Sequence, residues 1–442
     1  MSTSALQMAK PSSARWRAVV IFFLFMLLHQ SDKLLIGPLM KPIMETFNIN
    51  YTQWGMINTG ALLVGVILYP LWGWLYDKHN RAKLLALASL LWGTTTWFSA
   101  LAPNFGTFLV TRSSTGIDDS SYPGLYSMVS DYFGPKSRGK IYGALQFAQP
   151  IGYLMGMLLA LMLGGVIGWR AVFYITGSLG IVLAVVIFFG VQDVPRGSSE
   201  VELQNVDKEK FKFNWPTVKD LMKKKTMWMV YLQGFFGVFP WNVITYSFFG
   251  YLEIERGYNS ETMLMTMAPA VIVMALGYPL GGFLGDWLFK KTHSGRLIIA
   301  SIGVIMGAIF LYITINIPLD QPALFGVMLM VSALFIPFAS PNVLSTVYDV
   351  SLPEVRSTAN AVEAFIENTG AAASPLIFGI IADATSLQDA ILLVCISTWI
   401  LCFIFLLFAI RFIPKDIRSL HEVLRARAAA AAPATADTAR VD

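Results

Sequence analysis

Apolar residues in this chain run in long blocks separated by short polar gaps, with little of the one-sided spacing of a helix that keeps a wet face. Helices that are apolar all round belong in a large core or in a membrane. Twelve blocks, near 18–40, 52–75, 83–103, 107–130, 139–165, 169–192, 227–250, 261–288, 296–316, 322–347, 356–382 and 388–411, are long enough to cross about 30 Å of hydrocarbon as helices. They exceed the length of barrel strands, and within lipid only helices and closed barrels satisfy every backbone group. The pattern predicts an all-α membrane protein with twelve transmembrane helices. Polar stretches divide it into an N-terminal tail (1–17), a six-helix bundle (18–192), a linker (193–225) containing Pro195, Gly197 and Pro216, a second six-helix bundle (226–411) and a C-terminal tail (412–442). The tail is expected to be partly helical before its Ala-rich end.

Composition agrees. Of 442 residues, 55% are hydrophobic and 13% charged, against about 25% charged in soluble domains. A soluble protein of this size has too little interior to hide that much apolar surface. The net charge of +5 does not point to nucleic acid, because the basic residues sit in the gaps between blocks. All of the 32 Lys and Arg except Lys33, Lys41, Arg112, Arg170 and Arg256 fall on one side if the N-terminus is inside. The positive-inside rule then places both termini in the cytoplasm, and the expected location is the plasma (inner) membrane.

The chemistry of soluble enzymes is not visible. Cys395 and Cys402 lie in one apolar block and read as packing residues, and the four histidines are scattered without metal spacing. No nucleophile–base constellation and no Gly-Lys-Ser/Thr phosphate loop is present. The expectation is no enzyme activity, no metal, no cofactor and no direct use of ATP.

The chain repeats itself. Tyr69-Pro70-Leu71-Trp72-Gly73-Trp74-Leu75-Tyr76-Asp77 matches Tyr278-Pro279-Leu280-Gly281-Gly282-Phe283-Leu284-Gly285-Asp286, each at the end of the second block of its half. Pro123, Ser127, Asp131 and Arg138 recur as Pro341, Ser345, Asp349 and Arg356 at one constant offset. Two matches in the same order imply two pseudo-symmetric bundles, a plan in which the solute site lies between the halves.

These residues also carry a resemblance. Gly73-x-x-x-Asp77-Lys78-x-x-Arg81-x-Lys83 resembles the signature loop of the major facilitator superfamily, with Asn80 where Gly is usual, and Gly282-x-x-x-Asp286 with Gly295-Arg296 resembles its second copy. Gly168-Trp169-Arg170 with Phe173 is similar to another feature of that superfamily. Asp32-Lys33, Arg112-x-x-x-Gly116-x-Asp118-Asp119-x-Ser121-Tyr122, Leu352-Pro353-Glu354-Val355-Arg356, Ser374-Pro375 and Asp383 resemble the spinster-like branch. Tyr122-Pro123-Gly124 and Phe133-Gly134-Pro135 look equally like the organic anion:cation symporters. The resemblance implies the major facilitator fold and secondary transport.

Ionisable side chains inside spans are costly and mark pathways. In a continuous helix Arg112 and Asp119 fall within about 20° of one face, whereas Asp118 points about 120° away and reads as packing. Asp32, Lys33, Arg112 and Asp119 are therefore expected to share one cavity, with Asp32 and Asp119 exchanging their basic partners as protons bind. Asn360, Glu363 and Glu367 make an i, i+3, i+7 stripe facing the bundle interior. Gln30, Tyr122, Gln233, Asn242, Tyr246 and Asn342 are further cavity candidates. Gly73, Asp77, Lys78, Arg81, Asp131 and Arg138, with Asp286, Arg296, Asp349 and Arg356, are candidates for a cytoplasmic gate of ion pairs and helix ends.

The functional expectation is a monomeric secondary active transporter moving a small organic or amphipathic solute by alternating access, with a proton as coupling ion. A uniporter or exchanger of organic anions and a transporter-like sensor are the alternatives. Arg112 and Lys33 suit a carboxylate or phosphate; the spinster-like resemblance implies a lipid-like amphiphile.

Overall fold

The computed structural model describes residues 13–118, 121–133, 141–142, 144–194, 219, 221–352 and 355–431, and these are helical with no strand. Twelve rods cross the molecule. In the first half they are α1 (Ser13–Leu35), α2 (Tyr51–Lys78), α3 (Arg81–Leu101), α4 (Phe105–Ser114, resuming as Tyr122–Tyr132), α5 (Ala144–Ile167) and α6 (Trp169–Gly190). In the second half they are α7 (Lys225–Tyr246), α8 (Ser260–Phe289), α9 (Gly295–Ile315), α10 (Pro322–Asp349), α11 (Arg356–Ala384) and α12 (Leu387–Ala431, with a π-helical turn at Leu392–Ile396). Among the described residues, ten helices are long and apolar enough to cross a membrane. The remaining two rods are α4, which is interrupted, and α7, which carries Gln233 and Asn242.

Local chemistry sets the ends. Asn50 and Gln53 form a reciprocal capping box on α2, and Asn104 and Asn259 cap α4 and α8. Asn80 occupies the position where the superfamily loop usually has Gly. Its φ is −67°, so no left-handed residue is needed there, and its side chain accepts from the Lys83 N–H to cap α3. Gly168 joins α5 to α6 at φ +80°, a backbone that other residues rarely adopt.

Two expectations change in detail. The α4 rod is not one α-helix: it tightens into a 3-10 turn at Thr115–Ile117, and the Trp72 indole donates to the freed Ile117 carbonyl. The last helix continues to Ala431, well past the predicted end near 411, because Ile413, Ile417 and Leu420 stay buried against the bundle. The linker region 195–218 lies outside the described residues.

Within the first half α1 packs on α5, α3 on α6 and α2 on α4; within the second, α7 packs on α11 and α12, and α8 on α9 and α10. The halves meet along α2 against α11 and α5 against α8. Large apolar side chains such as Phe189 and Phe283 point outward, more than two-thirds exposed, as lipid-facing residues do.

The start of α1 meets the end of α6, and the start of α7 meets the extension of α12, on the face here called the terminal face: Arg17 donates to the Gly190 carbonyl and the Thr226 N–H to Asp416. The opposite, distal face is where the halves close on each other. There Asp383 of α11 accepts the N–H groups of Tyr51 and Thr52 at the start of α2, at 2.9 and 2.8 Å. Trp54 donates to the Tyr246 carbonyl (3.0 Å), and Lys41 pairs with Glu253 (3.4 Å). Gly55 and Gly379 lie so near the opposing backbone that a Cβ at either would collide with it.

Candidate functional site

The first half holds a buried polar cluster. Arg112 lies 3.4 Å from Asp32, which also accepts from the Thr176 hydroxyl at 3.0 Å. The guanidinium stacks over the Phe173 ring at 5.2 Å, which gives a buried cation an electron-rich neighbour. Asp32, Lys33 and Arg112 line one small cavity of about 30 Å³ together with His29, Asn58 and Tyr246. The expected meeting of Asp32, Lys33 and Arg112 is therefore present.

The expected role of Asp119 falls outside the described residues. Asp118, expected to be a packing residue, follows the 3-10 turn at Thr115–Ile117. Asp118 is completely buried, and its carboxylate sits 2.7 Å from His29 Nε2. His29 Nδ1 meets the Tyr122 hydroxyl at 2.6 Å, and Gln30 donates to the same hydroxyl at 3.0 Å. The sequence reading missed His29, a lone histidine in an apolar run. Its one signal is that it stands three residues before Asp32, on the same side of α1.

The second half holds a larger cavity of about 400 Å³, lined by α7, α8, α9, α10, α11 and α12, with Gln149 of α5 from the other half. Asn360, Glu363 and Glu367 all line it, as the stripe predicts, together with Gln233, whose side-chain oxygen accepts from the Cys402 thiol. Trp241, Trp399 and Tyr278 supply rings. Glu363 is 8% exposed. At 1.5 Å per residue it stands about 10 Å from the start of α11 and about 30 Å from Asp383, so the cavity lies on the terminal side of the distal seam.

Two cavity candidates prove structural. Asn242 donates to the Ala371 carbonyl and ties α7 to α11. Asn342 donates to the carbonyls of Gly281 and Phe338, tying α8 to α10, and is not part of the cavity wall. Both satisfy backbone acceptors within their own bundle.

The gate candidates form two matching clusters on the terminal face. Arg81 of α3 pairs with Asp131 of α4 and with Asp193 beyond α6, and donates to the Ser127 hydroxyl at 2.9 Å and the Val194 carbonyl at 2.7 Å. Arg296 of α9 pairs with Asp286 of α8 at 2.7 Å and with Asp349 of α10. Each cluster joins helices of one half, so these pairs brace a bundle and do not bridge between bundles. Asp193 has no partner in the internal repeat and was not expected. Lys78 lies over the Trp74 ring at 4.6 Å. A Cβ on Gly73 would meet open space. Arg138 and the side chains of Asp77 and Arg356 lie outside the described residues.

The model for the Major Facilitator Superfamily matches residues 20–375. The chain belongs to this superfamily. It is 26% identical over 401 residues to Protein spinster of Drosophila melanogaster, covering 84% of this chain and 62% of the fly protein. It is also 26% identical to the Probable L-galactonate transporter of Escherichia coli (strain K12), over 86% of this chain and 85% of that one. The Cis,cis-muconate transport protein of Acinetobacter baylyi is 26% identical, over 86% and 91%. Among solved structures, a bacterial homolog of the human lysosomal transporter spinster, inward-facing and unoccupied, superposes with a TM-score of 0.76 at 20% identity over 93% of this chain and 98% of that one. Superfamily membership, the all-helical fold and multi-pass membrane residence are thus established, and the chain is as similar to the galactonate and muconate proteins as to spinster.

Proposed function

We propose that this protein is a proton-coupled secondary transporter that moves a small organic solute by alternating access, with both termini in the cytoplasm of a plasma (inner) membrane and a monomer as the working unit. The observation that carries this is the asymmetry of the seam. The halves lock together at the distal face, while buried ionisable clusters from both halves lie on the terminal side of that lock. The positive-inside rule makes the terminal face cytoplasmic, and the structure is then the inward-facing state.

In this reading Asp32 is the coupling carboxylate of the first half. Arg112 is its ion-pair partner at 3.4 Å; a proton on Asp32 would free Arg112 and loosen α1 from α4, while the Thr176 hydroxyl steadies the oxygen that stays bonded. Glu363 and Glu367 face solute in the second half. The relatives named for galactonate and muconate transport, and the fold shared with a D-xylose–proton symporter (TM-score 0.71), support solute movement on this scaffold.

The test is pH-gradient-driven uptake into proteoliposomes across a solute panel. Asp32→Asn should lose gradient-driven accumulation while remaining folded and keeping solute binding. Wild-type, pH-dependent uptake by that variant would overturn the coupling role; binding without flux under any gradient would favour a sensor.

A further inference from the structure

The chemistry of the larger cavity specifies the charge of what it takes. Glu363 and Glu367 stand one helical turn apart on α11, so both carboxyls enter the same space. The Glu363 side chain is more than nine-tenths buried, and among the described residues no hydrogen bond or ion pair reaches its carboxylate. A buried acid without a partner is costly unless something else satisfies it. Among the described residues no Lys, Arg or His lines this cavity, so the described wall supplies no cation. It supplies the rings of Trp241, Trp399 and Tyr278 and the amides of Gln149 and Asn360.

An anionic solute would enter against two carboxyls with no basic residue to receive it. A neutral solute would leave the two carboxyls to be satisfied by protons alone. An ammonium group answers both: it pairs with the carboxyls and lies against electron-rich ring faces. Beside this space a second, apolar pocket of about 50 Å³ shares Trp241 and Ile336 with it and is walled by Met267, Met274 and Leu329. It offers a place for a short apolar segment of the same solute.

We propose that the cavity between α7, α8, α9, α10, α11 and α12 binds an organic ammonium on a compact apolar body, with Glu363 as its principal counter-ion and Glu367 as the second. This rests on the transporter reading above and narrows its solute to a cationic or zwitterionic class. The basic pair Arg112 and Lys33 belongs to the separate small cavity of the first half, where Arg112 already pairs with Asp32.

Three probes of matched shape test it: 3-phenylpropyl-trimethylammonium, 4-phenylbutyrate and 4-phenylbutanol. Binding is measured on the full-length protein in nanodiscs, and counterflow of each probe in proteoliposomes. The ammonium should bind at least about tenfold more tightly than the carboxylate and the alcohol, and Glu363→Gln should lose about tenfold of that affinity. Equal or tighter binding of the carboxylate, or no binding of the ammonium, overturns the proposal, and neither result requires a variant to fold. Wild-type ammonium affinity in both Glu363→Gln and Glu367→Gln does the same. Gradient-driven uptake of the carboxylate without ammonium binding would sink this inference and leave the transporter reading standing. Ammonium bound but never moved would support the site and count against transport.

Discussion

His29 places its Nε2 2.7 Å from the carboxylate of Asp118, and both side chains are sealed inside the first half. The pair fixes α1 to the break in α4, at the point where Tyr122 starts the second segment of that rod. Removing one partner of a buried polar pair takes this bond from the other, which costs about 1–3 kcal/mol. Asp118→Ala should therefore lower the melting temperature sharply, whereas the double variant His29→Gln/Asp118→Asn, which can keep a neutral hydrogen bond, should recover more than half of the loss. A melting curve of Asp118→Ala that overlays the wild type would remove the pair from the account.

The carboxylate of Asp383 neutralises the N-terminal N–H groups of α2 across the seam. Caps of this kind contribute about 0.5–2 kcal/mol, and here the contribution exists only while the distal face is closed. Asp383→Ala should shift the population toward the outward-open state by a factor of roughly two to thirty. Spin-label distances across the distal face read the shift; an unchanged distribution would mean that apolar packing alone holds the seam.

Glu253 belongs to the same closure. Burial pushes its carboxyl above the usual range, Lys41 pulls it back and Glu45 adds to the rise. A group whose pKa is raised in the closed form binds more protons there than when the face opens. Acid therefore favours closure, and the distal face should loosen as pH rises through the elevated pKa. The same distance measurement repeated across pH should show that slope in the wild type and a flatter one in Glu253→Gln.

Arg81 is 2% exposed and holds Asp131 and Asp193 together on the terminal face. Its planar fork donates to four partners, which a lysine ammonium cannot match. Arg81→Lys should destabilise the first half, and Arg81→Ala should do so by about 3–5 kcal/mol because two carboxylates then lose the cation they share. Thermal melting ranks the variants; equal stability of all three would contradict the brace.

Much of this was legible in residues alone. The duplicated Asp131 and Asp349 announced matching clusters, and the spacing of Asn360, Glu363 and Glu367 marked one face of α11. Asn242 and Asn342 were misplaced because helical spacing separates a lipid face from a protein face, but not a cleft from a neighbouring helix whose carbonyl needs a donor. The partner of Asp118 and the 3-10 turn at Thr115 were not legible, because wheel geometry assumes 3.6 residues per turn. Asp193 could not be found by repeat, since it has no twin, and His29 was weighed only as a metal ligand. The distal seam was hidden for a different reason. Asp383 was noticed for its resemblance alone, and its partners are backbone N–H groups more than 300 positions away in the chain.

The central claim is that one cleft is reached from one face at a time. A single cysteine at Ser340, which lines the larger cavity, introduced into a variant with Cys395 and Cys402 replaced by Ala, can be labelled by a membrane-impermeant thiol reagent added to either side of oriented vesicles. The account predicts fast labelling from the terminal face in the resting protein, and labelling from the distal face only when the Asp383 cap is removed or a transported solute is present. Equal labelling from both faces at once, or protection from both under every condition, would contradict it.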